Sequence, residues 1–371
     1  MPNAVSKTRM VLFRIALILN AFIVVVLVSL FSGLRFGTVL LTGLGFGIVL
    51  EGLRFGFAGP WRTMILHREP AGILAQLLAI GLVACVAIPM LAAHPTELSG
   101  AQASIGWAMI AGAFVFGAAM QVILGCGSGT LVNAGSGNLV SLVALPFFAI
   151  GSFAGAYHIF WWTNLGTLPI MTLKGGTGLV YTLILLIITA GIFLTLGKKG
   201  SRTLPKRYVM AAILIAVLAI CNLLVAGQPW GVVYGLGLWA AKGAVLLGFD
   251  LSSSTFWAAS SSVGRLNSSV LTDYTSLTNI GMVIGALGVS VWRNRDLAQP
   301  VPSYPLSTWF SVIIAGFALG YASRLAFGCN VGAFFSGIST GSLHGWVWFI
   351  AAFMGAFLGI RIRFVVGLEP S

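Results

Sequence analysis

Two cysteines stand where a thiol could meet a solute. The segments Leu124-Gly-Cys126-Gly-Ser-Gly-Thr130 and Phe327-Gly-Cys329-Asn-Val-Gly332 each interrupt an apolar run with glycines and small polar residues. Glycine disfavours a helix interior, and irregular backbone at membrane depth is tolerated only where it is buried in protein or lines a cavity. Each segment therefore predicts a re-entrant turn whose backbone amides and polar side chains face a polar space. A neutral thiol is a soft, polarizable, weak donor, so it suits a sulfur-bearing anion better than a hard cation such as sodium. Helices beginning just after the breaks would add partial positive charge. The residues placed on this substrate path are Gly125, Cys126, Gly127, Ser128, Gly328, Cys329 and Asn330. The competing reading is that these glycines only let helices pack closely.

Composition fixes the surroundings. Of 371 residues, 58% are hydrophobic and 7% charged, and 20 Lys and Arg face 7 Asp and Glu for a net charge of +13. A soluble domain carries roughly 25% charged residues, so a water-soluble enzyme and a disordered chain are excluded. The bases are scattered and not gathered on one face, which excludes a nucleic-acid binder. Fourteen of the bases are arginine, whose guanidinium fork matches oxyanions. Arg62, Arg265 and Arg324 lie beside irregular elements and are the candidates for gathering an anion, snorkelling to headgroups being the alternative.

Charges inside spans need partners. Glu51 and Lys242 fall nearly opposite each other when the two halves of the chain are aligned, which predicts an ion pair; Arg54 and Arg62 are the other possible partners of Glu51. Asp250 ends a span and is expected to cap a helix beginning near Ser252 to Ser254. Cys85 and Cys221 lie in apolar runs and read as buried packing residues. With no C-x-x-C pair, and with His67, His94, His158 and His344 scattered, no metal and no cofactor is expected. Trp161, Trp162, Trp346 and Trp348 read as an interfacial belt. No P-loop is present, so the chain is not expected to be itself an ATPase; a transporter and not an enzyme is expected.

These residues must be carried by membrane-spanning helices. A helix crosses with about 20 apolar residues, and runs at 11–31, 38–57, 71–92, 105–124, 139–160, 179–196, 208–226, 231–249, 280–292, 307–322 and 343–360 predict nine to eleven spans. The run at 280–292 is short. The first run is too long for a signal peptide and reads as a retained span. Features recur in order: Gly43-Leu-Gly45 then Gly56-Phe-Ala58, against Gly235-Leu-Gly237 then Gly248-Phe-Asp250; next the two cysteine segments; then Gly135-Ser-Gly-Asn-Leu139 against Ser339-Thr-Gly-Ser-Leu343. Such repeats characterise transporters. The expected fold is all-α and polytopic: an extra N-terminal span (1–36), a first half (37–197), a basic cytoplasmic linker (198–207) and a second half (208–371). The linker bases Lys198, Lys199, Arg202, Lys206 and Arg207, with Lys7, Arg9 and Arg14, point to the cytoplasm by the positive-inside rule. Counting spans puts Arg293 with Arg295, and Arg361 with Arg363, on the other side, unless some runs do not cross.

The stretches Arg324–Ile338 with Ser342-Leu-His344, Leu124–Gly129, and Glu51-Gly-Leu-Arg-Phe-Gly-Phe-Ala-Gly-Pro-Trp-Arg62 resemble the YeeE/YedE family of bacterial sulfur-transport membrane proteins, over roughly residues 38 to 363. The resemblance implies an hourglass-shaped, multi-pass protein of the bacterial inner membrane. Thiosulfate would pass through a central pore from one cysteine to the next on re-entrant half-helices, with a cytosolic sulfur-carrier protein as a possible partner. Cys126 and Cys329 match two of three family cysteines, and Gly56 stands where the third is expected. That departure leaves room for a related anion. An enzymatic alternative, a membrane sulfurtransferase carrying a persulfide on Cys126 or Cys329, lacks a base to activate either thiol. A third reading is a structural membrane subunit.

Overall fold

The computed structural model describes residues 4–293 and 304–368, with side chains from Val11 onward. The helices are α1 (Ala4–Ser32), α2 (Leu34–Gly52), α3 (Ala58–His67), α4 (Ala71–Ala93), α5 (Trp107–Ile123), α6 (Gly127–Gly135), α7 (Leu139–Tyr157), α8 (Ile159–Thr163), α9 (Gly175–Leu196), α10 (Lys206–Ala226), α11 (Val233–Leu246), α12 (Ser260–Asn267), α13 (Tyr274–Arg293), α14 (Leu306–Leu325), a π-helix (Asn330–Phe335), α15 (Ser336–Ser339) and α16 (His344–Val365). Among the described residues, ten segments are long and apolar enough to cross a membrane. The chain is an all-α, multi-pass membrane protein. Two runs depart from expectation: the short one at 280–292 belongs to the 20-residue α13, and the one at 231–249 holds only the 14-residue α11.

Close packing here depends on glycine. Apolar side chains gain little by leaving lipid for protein, so helices in a bilayer associate through tight van der Waals contact between small residues. Helix α13 lies against α2, and a Cβ on Gly281 would stand 2.5 Å from the carbonyl oxygen of Leu40 and 2.6 Å from the amide nitrogen of Leu44. Gly316 of α14 faces Ala144 of α7 in the same way, and Gly117 of α5 and Gly355 of α16 seat those helices on each other. The outermost helix, α1, presents exposed Leu, Ile and Phe along most of its length, as expected of a lipid-facing span.

Aromatic side chains fill the centre. Trp61 of α3 packs edge-on against Phe334, Trp348 and Phe349, with Phe116 on the far side of Trp348. Trp348 is therefore a core residue and not part of the interfacial belt, whereas Trp161 is exposed. Cys85 and Cys221 are exposed on the outer faces of α4 and α10, so the buried role expected for them does not hold.

The bases also sort by end. Arg293 and Arg54 meet Glu51 at the close of α2; Arg14 reaches the carbonyl of Trp292; the Arg68 carbonyl accepts from the amide of Lys198; Arg363 donates to the carbonyl of Val122; and Arg62 sits over the ring of Phe364. All lie with Arg207 at one end of the bundle. Span counting put Arg293, Arg361 and Arg363 at the end opposite Arg207 because it counted the run that holds the 14-residue α11 as a crossing; without it they fall at the same end. Arg295 lies outside the described residues, as do the side chains of Lys7 and Arg9.

Gly281→Leu should prevent α13 from seating on α2, at a cost of about 1–3 kcal/mol or more. Gly288→Leu, on the same helix with nothing within 4 Å of its added Cβ, should be tolerated. Thermal denaturation in detergent, followed by size-exclusion chromatography, checks the pair.

Candidate functional site

Both cysteine segments fold alike. Helix α5 stops at Ile123; Leu124 takes a left-handed conformation (φ 52°), and Cys126 is extended (φ −80°, ψ −169°) at the N-cap of α6. Helix α14 stops at Leu325; Phe327 is left-handed (φ 56°), Gly328 has φ +154°, and Cys329 is extended (φ −95°, ψ −170°) at the start of the π-helix. A left-handed non-glycine residue costs of order 1–3 kcal/mol, and it occurs at the same place in both breaks, two residues before the thiol. At Gly125 a Cβ would stand 2.6 Å from Thr130 Oγ1, and at Gly328 it would stand 2.7 Å from the amide of Ala333. These glycines are required by the turn.

The two breaks meet. A Cβ added to Gly127 would lie 2.9 Å from Cys329 Sγ, so the second thiol rests against bare backbone one residue from the first. Cys126 Sγ accepts from the amide of Gly129 at 3.4 Å and shares a hydrogen bond with Ser128 Oγ at 3.4 Å. Both cysteines are fully buried and free. Each opens a helix, so backbone N–H groups converge near the thiols and favour negative charge.

A cavity approaches from each side. The first, about 390 Å³, is lined by Glu51, Arg54, Gly56, Cys126, Asn133 and Arg207 among others. The second, about 270 Å³, is lined by Tyr234, Phe256, Thr275, Arg324, Gly328 and Gly332 among others. Thr275 opens α13 and Arg293 closes it on Glu51, so the cavities lie at opposite ends of a helix about 30 Å long. Gly56 borders the first cavity with nothing within 4 Å of an added Cβ. Its loop is held by two buried amides: Gln76 donates to the Gly56 carbonyl (2.9 Å) and Gln121 to that of Ala58 (3.0 Å).

The charged candidates separate. Arg324 stands in the second cavity with its guanidinium 4.6 Å from the Phe256 ring and 5.7 Å from that of Tyr234, and among the described residues it forms no ion pair. Arg265 is neutralised by Asp273 at 3.4 Å and lies over Tyr234. Arg62 is half-buried against Phe364. The expected Glu51–Lys242 pair does not form: Glu51 meets Arg54 (3.4 Å) and Arg293 (3.3 Å), while Lys242 Nζ donates to the carbonyls of Leu266 and Ser268, each at 2.6 Å. Glu51 lies beside Arg293 at the end of α13 and Lys242 beside Leu266 and Ser268, ahead of its start, so the two are at opposite ends. Asp250 accepts from the amide and hydroxyl of Ser252 in a local turn; the next helix begins at Ser260, so Asp250 caps no helix. The alternative partner Arg54 does meet Glu51. From sequence Arg54 reads as an ion-pair partner and Arg207 as an orienting base, and not as cavity residues; Tyr234 is not singled out. The buried Gln76 and Gln121 could have been found as polar amides inside apolar runs.

Residues 53–358 match the family described as Sulphur transport. The chain belongs to that family. It is 25% identical over 338 residues to the thiosulfate transporter TsuA of Spirochaeta thermophila, covering 84% of this chain and 93% of that protein. It is 29% identical over 152 residues to the probable transporter YedE of Escherichia coli, covering 41% of this chain and 36% of the relative. A second probable transporter YedE, from Salmonella typhimurium, is 32% identical over 98 residues, covering 26% and 24%.

A double-mutant cycle checks the charge assignments. Glu51→Gln and Arg293→Gln should couple by roughly 0.5–3 kcal/mol in melting experiments. Glu51→Gln and Lys242→Gln should simply add.

Proposed function

We propose that this protein carries thiosulfate, or a closely related sulfur oxyanion, across the bacterial inner membrane without chemically changing it. The observation that carries the reading is the meeting of two thiols on matching broken helices, between cavities at opposite ends of α13. The likeness over most of its length to a protein named as a thiosulfate transporter supports the choice of anion. Arg324 is the residue that gathers the anion in one cavity. Cys329 and then Cys126 hand it on as soft donors, with Gly125, Gly127, Ser128 and Gly328 shaping the turn. Arg54 and Arg207 receive it in the other cavity. The basic end faces the cytoplasm under the positive-inside rule, and a cytosolic sulfur-carrier protein would collect the product there.

The chain is read as two equivalent halves following α1. The packing of α5 on α16 and of α7 on α14 is reciprocal, which supports pairing α5 with α14 and α7 with α16. The broken helices are read as re-entrant elements meeting at the waist of an hourglass. Gly56 leaves a gap where the family carries its third cysteine, so the relay here has two thiols.

Uptake of radiolabelled thiosulfate into proteoliposomes tests the proposal. Cys126→Ala and Cys329→Ala should each lower the initial rate at least tenfold while leaving the melting temperature near that of the wild type. Gly56→Cys should be accommodated and should not lower the rate. Wild-type liposomes that accumulate no label would overturn the reading, and sulfur found covalently on Cys126 or Cys329 would favour a transferase.

A further inference from the structure

The residue after Cys329 carries a buried side-chain amide whose donor and acceptor are both unused among the described residues; in the first break the Thr130 hydroxyl is also unpartnered, but it is no amide. Asn330 is 0% exposed, and neither its Nδ2 nor its Oδ1 has a hydrogen-bond partner among the described residues. The other amides of this core each hold backbone: Gln76 the Gly56 carbonyl, Gln121 that of Ala58, and Asn279 that of Val232 (2.9 Å). A buried amide left unsatisfied is destabilising, and the apolar interior of a membrane protein supplies nothing to offset it. Asn330 therefore does not contribute to stability through its amide.

Its position gives it another use. It opens the π-helix directly after the thiol that rests on Gly127. Short π-helical segments are frequent at functional sites, and here the first residue of one carries the unused amide. The corresponding residue in the first break is Gly127, with no side chain, so only one of the two elements places an amide beside the thiols. A sulfur oxyanion has two chemically different ends. A thiol satisfies the soft sulfur, and the oxygens need N–H donors.

Resting on the transport reading above, we infer that the Asn330 side-chain amide is a specificity-determining group that donates its N–H to the oxygen end of the anion while Cys329 holds the sulfur end. The assignment explains why an amide is kept there at a cost to stability. It also makes the two thiol stations unequal: the Cys329 station offers an amide for the oxygen end of the anion, and the Cys126 station offers only the hydroxyls of Ser128 and Thr130 and bare glycine, so it recognises the anion more weakly.

The test uses the full-length protein in detergent and measures the rise in melting temperature on adding thiosulfate, a binding readout independent of uptake. Asn330→Leu removes the amide at similar volume, and Asn330→Gly reproduces the residue found at Gly127. Asn330→Leu should melt, without thiosulfate, at or above the wild-type temperature, because an unsatisfied buried group has been removed at similar volume. Asn330→Gly, which leaves a cavity and a more flexible backbone, should melt somewhat lower and still fold. Each should require at least roughly tenfold more thiosulfate for the same stabilisation, as expected for a lost hydrogen bond to a charged ligand. In proteoliposomes KM should rise by a similar factor. The inference is overturned if a folded variant binds thiosulfate as the wild type does, if both variants lose their fold, or if thiosulfate does not stabilise the wild type. Thiosulfate-dependent stabilisation that needs Asn330, without any uptake by the wild type, would sink the transport reading and leave the recognition role standing.

Discussion

A backbone that leaves the helical path inside a bilayer must hide its amides and carbonyls in protein, because lipid offers them no partner. Much of this structure follows from that constraint. The breaks at Leu124–Cys126 and Phe327–Cys329 can exist only where neighbouring helices surround them, and those neighbours approach closely only because glycine lines their contacts. Gly281 of α13 against α2, Gly316 of α14 against α7 and Gly355 of α16 against α5 are in this sense part of the site, although none touches it. The constraint also accounts for the buried glutamines. The Gly56–Ala58 loop is a third non-helical stretch, and its carbonyls are capped by Gln76 and Gln121 reaching in from α4 and α5.

The same requirement explains the strain. Leu124 and Phe327 adopt left-handed φ values without being glycine. A chain that turns out of one helix and starts another within three residues has few conformations available, and the packing around both turns supplies the stability that the strained residue forfeits. That the strain falls two residues before each thiol ties it to the placement of sulfur and not to a general looseness of loops.

What could be read from sequence divides along physical lines. Local signals were dependable: glycine and polar residues interrupting the runs near Cys126 and Cys329 foretold both breaks, and span length foretold the all-α membrane architecture. Signals that depend on which elements become neighbours were not. Glu51 and Lys242 looked complementary when the halves were laid side by side, yet Glu51 is met by Arg293 from α13, some 240 residues away, and Lys242 by backbone carbonyls. Trp348 looked interfacial by its place at a span's start, but the π-helix and α15 descend beside it and bury it against Trp61 and Phe116. Cys85 and Cys221 looked like core because apolar runs do not reveal which face meets lipid. The placement of Arg293, Arg361 and Arg363 by counting failed for a related reason: counting treats every apolar run as a crossing, and the 14-residue α11 is too short to be one.

The arrangement of charge bears on how an anion could move through so apolar a centre. Full positive charges stand in the two cavities, Arg324 in one and Arg54 with Arg207 in the other, while the described groups at the meeting point are neutral: thiols, backbone amides, the Ser128 and Thr130 hydroxyls and the Asn330 amide. Conduction requires a site favourable enough to enter and weak enough to leave. A guanidinium at the constriction, desolvated on all sides, would bind an oxyanion with charge-assisted hydrogen bonds roughly twice as strong as neutral ones and hold it there. Neutral soft donors at the centre with arginines outside replace one deep trap by a series of shallow stations. In the proposed path, the substitution of Gly56 for a thiol removes a station from the cavity that already contains Arg54 and Arg207, which is where a missing donor is most easily compensated by charge.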